Sequence, residues 1–285
     1  MNQEITKDIV VFYHGGCSDG FGSAYSAWKK FKDTADYLPI DYKENLPEIK
    51  DKKIFFLDIT LQKEILKTLM AKNEVIGIDH HISTKDDIEV LEQKIFSTEK
   101  SGAYLSWEYF NPESKVPEFI KHISDYDLWE FKMNGTKEIN LFLKIIPMDF
   151  ESWDKIADDM EDTDKKSSIV NTGKTIATYR DNLAEKIIER GIKEVSFENY
   201  KAYCVNAPNL PELADIIGNA LARKSPPFAI IWAENREYVG VSLRGDGSVD
   251  VSKLAEKYGG GGHHDAAGFR VSNINNLPWT EIAKD

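Results

Sequence analysis

At 285 residues, 41% of them hydrophobic, the chain is long enough to bury one large core or two smaller ones, and two domains are expected. A formal net charge of -12 leaves no broad basic surface for the phosphates of a long duplex, so a nucleic-acid ligand would have to be short or held locally. No apolar run approaches the roughly 20 residues that span a bilayer. The start, MNQEITKDIVVFYH, lacks signal-peptide regions, and the two cysteines, Cys17 and Cys204, make no disulfide framework or zinc-type pair. The expectation is a soluble cytoplasmic protein that does not associate with membranes, with Cys204 in KAYCVNA as a small core residue.

In chain order, IVVFYH, KIFFLDIT and EVIGIDHH are short runs rich in β-branched and aromatic residues, while FGSAYSAWKKF and QKEILKTLMAK between them carry helical spacing. This is the pattern of an α/β fold, with a parallel sheet covered on both faces. Residues 113–195 read as mainly helical, and the acidic stretch ADDMEDTDKKSS as a solvated face. After Glu198 the texture turns to short strands with one or two helices, in FAIIWAE, EYVGVSLRG and VDVSKLAEKYGGGG. The expected organisation is therefore a domain of residues 1–195 with a helical extension and a smaller α/β domain of residues 196–285.

Functional groups in an open parallel sheet collect at the carboxyl ends of strands. Three candidate strands end in metal-ligand residue types: His14 with Asp19, then Asp58, then Asp79 with His80 and His81. A further acidic pair, Asp125 and Asp127, lies in ISDYDLWEF. Singly, Asp58 and Asp125 read as helix caps and Asp19-Gly20 as a turn. Together they make a hard or borderline site of nitrogen and oxygen ligands, suited to manganese, magnesium, iron or zinc.

These residues carry a resemblance. Asp79-His80-His81 closing a strand resembles the motif that names the DHH phosphoesterase superfamily. YHGGCSDGFGSA, FFLDIT and ISDYDLW resemble its first, second and fourth motifs, and YGGGGHHDAAGF the GGGH-x-x-AAG motif of the DHH-associated C-terminal domain. The order of all five is the family's. The resemblance implies an active site between a DHH domain and the C-terminal domain, and hydrolysis of a phosphate ester or anhydride with two divalent ions, foremost Mn2+, with Mg2+, Fe2+ and Zn2+ as alternatives. It assigns His14, Asp58 and Asp125 to one ion and Asp19, Asp58 and His80 to the other, with Asp58 bridging. His81 would contact a phosphoryl oxygen or orient the ligands, and Asp79 would fix the imidazoles or bind metal itself. The family commonly has two aspartates flanking one residue where this chain reads Cys17-Ser18-Asp19, so Cys17 is either a softer ligand or a packing residue. Gly260, Gly261 and Gly262, with Arg244 and His263, would bind a terminal phosphate or nucleotide; His264 receives no role.

The substrate expected from the oligoribonuclease and single-strand exonuclease branch is a short single-stranded oligonucleotide or dinucleotide. A phosphatase acting on pyrophosphate or nucleotide bisphosphates is the alternative enzyme, and a non-catalytic nucleotide-binding protein the alternative of another class. A homodimer is a candidate assembly. Tyr25, Trp107, Tyr126 and Trp129 lie near the motifs and could stack a base, or pack in the core as aromatics at helical spacing ordinarily do.

Overall fold

Val10 to Tyr13 alternate between two apolar environments with the period of an extended chain, and this sets the architecture of the N-terminal half. The computed structural model describes residues 5–42, 46–208 and 210–283. Strand β1 (Ile9–His14) leads into α1 (Ser18–Phe31), β2 (Ala35–Ile40), β3 (Lys53–Leu57), α2 (Lys63–Met70), β4 (Glu74–Asp79), a single turn α3 (Lys85–Ile88) and β5 (Gln93–Phe96). The five strands form an all-parallel sheet of order β2-β1-β3-β4-β5. Val11, Tyr13, Phe55, Leu57, Ile76 and Ile78 face a core layer shared with Phe21 and Tyr25 of α1. Val10, Phe12, Ile54, Phe56 and Val75 face the opposite layer, with Leu66 and Leu69 of α2.

The strand order reverses between β1 and β3. The chain leaves β1 toward β2 on one side and returns on the other, so the connections at these two carboxyl ends part and leave a crevice between them. Helices α4 (Gly102–Phe110), α5 (Glu118–Asp127), α6 (Thr136–Leu143) and α7 (Phe150–Glu161) then pack on the first layer through residues such as Ala103, Phe119, Ile139 and Trp153. The acidic stretch at residues 157–168 spans the end of α7 and the start of α8 (Thr163–Gly191) and is mostly exposed.

Two compact units, Met1–Ile176 and Ala177–Asp285, divide within α8. The change of sequence texture near residue 195 marks the start of the second sheet, at β6 (Lys193–Phe197). The second unit continues with β7 (Tyr200–Asn206), α9 (Pro211–Lys224), β8 (Phe228–Glu234), β9 (Val239–Gly245), α10 (Val251–Glu256), β10 (Gly261–His263), β11 (Ala266–Val271) and β12 (Thr280–Glu281). Its seven strands have the order β10-β11-β9-β8-β7-β6-β12, with β7 and β8 parallel and the other neighbours antiparallel. Cys204, Ile230 and Leu243 lie in the core on the face covered by α10, and Val205, Ala229 and Ile231 in the core on the face covered by α9. Among the described residues no helix is long and apolar enough to cross a membrane.

Candidate metal centre

Each turn at the switch point delivers one or more ligand side chains. β1 ends on His14, and after two glycines Cys17 caps α1, its Sγ accepting the Gly20 N–H at 3.2 Å. Asp19 lies in the first turn of α1, Asp58 directly follows β3, and His80 and His81 follow β4. Asp58 holds a left-handed backbone, φ 59°, that a non-glycine residue adopts only when its surroundings impose it.

The side chains converge in overlapping groups. His14 Nδ1 lies 3.4 Å from Asp58 Oδ2 and 3.5 Å from Cys17 Sγ, which is itself 3.6 Å from Asp58 Oδ2. On the other side, His80 Nε2 lies 3.2 Å from Asp58 Oδ1, 3.6 Å from Asp19 Oδ2 and 3.3 Å from Asp127 Oδ2. Asp58 faces both groups, one oxygen to each.

Of the two acids in SDYDLW, Asp127 reaches the cluster and Asp125 does not. Two residues apart on α5, they point about 200° apart around the helix. Asp125 is buried and turned to the following loop, where it accepts from the backbone N–H groups of Lys132 and Met133 and from Thr136 Oγ1 at 2.7, 3.1 and 2.5 Å. The first group of candidate ligands therefore gathers Cys17 where Asp125 was expected, and Asp127 joins the second. Asp79 also lies outside the groups of converging ligand atoms. Its Oδ2 accepts from Thr60 and Thr84, and its Oδ1 from the backbone of His80 and His81 while facing His81 Nδ1 at 2.8 Å. That saturated carboxylate fixes the His80-His81 turn, and it sets the proton of His81 on Nδ1, leaving Nε2 as the outer nitrogen.

Asp19 is anchored from a segment that drew no functional reading. Its two oxygens accept the N–H groups of Gly102 and Ala103, at 2.7 and 3.0 Å, at the start of α4. A Cβ on Gly102 would lie 2.6 Å from Asp58 Cβ and 2.7 Å from Asp58 Oδ1, so only glycine lets α4 approach the bridging carboxylate this closely. Ser101 caps α4 by accepting the Tyr104 N–H, but the contact of Gly102 with Asp58 is purely tertiary. Gly102→Ala is expected to lower metal content and turnover at least roughly tenfold, as displacement of a ligand's support does. Metal analysis of the folded variant, with its circular dichroism compared to the parent, checks this.

In the second unit, Arg244 on β9 stands opposite Ala266 on β11, which stands opposite His263 on β10. Residues directly opposite across antiparallel strands project to the same face, so Arg244 and His263 flank the small Ala266 in one row. Arg244 is aimed by Asp215 of α9, whose Oδ1 accepts its Nε–H at 2.6 Å. Gly218, one turn on, leaves room for that side chain: a Cβ there would lie 2.5 Å from Arg244 Cγ. His263 is exposed, and Gly261 and Gly262 form the edge strand with it, following Gly260.

Residues 199–279 match the DHHA1 domain family. Across 309 aligned positions the chain is 31% identical to uncharacterized protein R106 of Acanthamoeba polyphaga mimivirus, covering 99% of this chain and 72% of that protein. It is 24% identical over 177 residues to oligoribonuclease NrnB of Bacillus subtilis (strain 168), covering 60% of this chain and 44% of that protein. The pGpG-specific phosphodiesterase PggH of Vibrio cholerae shares the fold at a TM-score of 0.56, with 14% identity and 95% of each chain covered. The chain belongs to the DHH phosphoesterase superfamily.

DHH enzymes are phosphohydrolases that use divalent metals, and the donor atoms of this DHH chain fit such ions. Ligands about 2.0–2.3 Å from a shared ion lie roughly 3–3.7 Å from one another; the three separations in the first group, and those from His80 Nε2 to the three carboxylates of the second, are 3.2 to 3.6 Å. Asp58 Oδ1 and His80 Nε2, although close, are buried without a hydrogen-bond partner, as expected of two atoms directed at a common point. The electrostatics agree. Burial, reinforced by the charges of Asp58 and Asp127, pushes Asp19 well above the usual carboxylate range, and burial likewise pushes up Asp127. Asp58 is also penalised by burial, yet the imidazoles of His14 and His80 beside it hold it below that range, and Asp58 in turn raises His14. Three converging carboxylates of this kind call for cationic charge among them.

Proposed function

We propose that this chain is a divalent-metal-dependent phosphodiesterase that hydrolyses short oligonucleotides or dinucleotides. The observation that carries the reading is the chain of overlapping ligand clusters, His14 with Cys17 and Asp58, Asp58 with His80 and His81, and Asp19 with His80 and Asp127, with an unpartnered atom on each of Asp58 and His80, at the switch point of the parallel sheet. The matching DHHA1 domain and the sequence likeness to an oligoribonuclease support the nucleotide branch over a pyrophosphatase.

His14, Cys17 and Asp58 would hold one ion, and Asp19, Asp58, His80 and Asp127 the other, with Mn2+ the foremost candidate. Such ions, when bound, supply Lewis-acid stabilisation of the phosphoryl oxygens and lower the pKa of a water. The chain's own groups do the rest. Asp79 keeps the His81 ring oriented and raises its affinity for a proton, so that Nε2 can donate to a phosphoryl oxygen. Arg244, held by Asp215, and His263 bind the terminal phosphate, with Gly260, Gly261 and Gly262 admitting close backbone approach.

The test is turnover of pApA, cyclic di-AMP, pyrophosphate and a long single strand by the purified protein, with Mn2+ and after chelation. The reading expects metal-dependent cleavage of pApA well above the others. Hydrolysis of pyrophosphate with pApA untouched would overturn it.

Burial pushes the Cys17 thiol up, so a bare site keeps it protonated and only a bound ion would draw out the thiolate. Cys17→Asp keeps a side chain able to cap α1 and replaces a soft donor with a hard one. The variant is expected to prefer Mn2+ over Zn2+ more strongly than the parent, with turnover in Mn2+ preserved or raised. Competition of the two metals for each protein, read by metal analysis, checks this; an unchanged preference would make Cys17 a packing residue.

A further inference from the structure

We propose that Trp129 is the platform on which a nucleobase of the substrate stacks, an inference that deepens the phosphodiesterase reading above. Of the aromatics near the motifs, Tyr25 and Trp107 are buried, at 0% and 5% exposure, and belong to the core. Trp129 is 71% exposed. It lies two residues beyond Asp127, so its Cα is at most about 7.6 Å from that of a metal-cluster residue. Two more exposed apolar side chains border the same cluster: Ile82, 70% exposed and next to His81, and Tyr42, whose ring is 5.5 Å from the His14 ring. A polar, acidic centre is thus rimmed by apolar surface.

The loop that carries Trp129 is held in a costly shape. Trp129 and Phe131 both have left-handed backbones, φ 58° and 51°, a conformation disfavoured for bulky residues. The buried carboxylate of Asp125 secures it, and the Asp125 carbonyl also accepts the N–H groups of Glu130 and Phe131 at 3.0 and 3.3 Å. Phe131 meets the indole edge-on, with ring centroids 4.7 Å apart. Left to itself a tryptophan gains by burying its rings, and this loop is instead fixed with the indole in solvent. A phosphate or pyrophosphate ligand offers nothing for such a surface. A nucleotide does, because its phosphate requires the cations and its planar base an aromatic face, one sugar away from each other.

The test is calorimetric binding of AMP and of ribose 5-phosphate, which differ only in the base, to Mn2+-loaded parent, Trp129→Ala and Trp129→Phe. Because Trp129 is exposed, its removal should leave the melting temperature and metal content close to the parent's. The parent should bind AMP more tightly than ribose 5-phosphate by roughly ten- to a hundredfold, the scale of one base–aromatic stack. Trp129→Ala should erase that preference without changing ribose 5-phosphate affinity, and Trp129→Phe should retain most of it. Equal affinity of the parent for both ligands, or an equal loss for both in Trp129→Ala, would overturn the stacking role. The readout does not depend on turnover: failure to cleave pApA would sink the phosphodiesterase reading while a Trp129-dependent preference for AMP would still stand.

Discussion

Asp58→Asn is expected to abolish turnover of every substrate and to strip the protein of most of its bound metal. The residue is 1% exposed and offers one oxygen to each ligand group, so its loss disables both together. The effect should exceed roughly 10³-fold, since merely removing an outer partner of a metal ligand costs about 10–100-fold. Asparagine is the informative substitution: it keeps the volume and tolerates the left-handed backbone that Asp58 adopts. It also removes the carboxylate charge that faces the imidazoles of His14 and His80, so the metal-free variant should melt below the metal-free parent. Metal analysis, turnover and thermal melting of the two proteins would check all three expectations. A variant with full metal content and parental turnover would show that Asp58 does not bridge.

The second large effect is expected in the other unit. Arg244→Ala or His263→Ala should lose roughly 10²-fold in kcat/KM on a 5′-phosphorylated dinucleotide, the scale of losing a contact that positions the substrate for attack. The same variants should hydrolyse bis-p-nitrophenyl phosphate at close to the parental rate, because that ester has no terminal phosphate to hold. Binding energy gained far from the reacting phosphorus serves orientation, so both kcat and KM should suffer. Equal losses on the two substrates would assign the residues to the chemistry or the fold, and no loss on either would remove the Arg244–His263 row from substrate binding.

Much of this candidate site was legible because the side chains that converge there sit where periodicity stops. His14, Asp58 and His80 each end or follow a short β-branched and aromatic run, and strand ends in a parallel sheet are where ligands gather. Asp127 was harder. Choosing between it and Asp125 requires the phase of α5 and the residue on which that helix ends, and a pattern of two acids two residues apart carries neither. Gly102 matters through a close approach to Asp58, forty-four residues away in sequence, which no local pattern encodes. Among the strands, β2 and β5 went unread because both are sheet edges: ADYLPI contains a proline, QKIF is four residues long, and neither is buried on two faces. The division of the chain was obscured by α8, a 29-residue helix with polar composition whose two ends serve different units.

The exposure of Trp129 was equally beyond sequence. SDYDLW places the indole next to a ligand, but whether it points inward or outward depends on the left-handed turn fixed by Asp125 and Thr136. An aromatic in that position would ordinarily be assigned to the core.

Anomalous diffraction from crystals soaked in Mn2+ would show whether two ions share Asp58. Two anomalous peaks are expected to flank the Asp58 carboxylate, one in contact with His14 and Cys17, the other with Asp19, His80 and Asp127. A single peak, or peaks that leave Asp58 without a metal contact, would contradict this sharing.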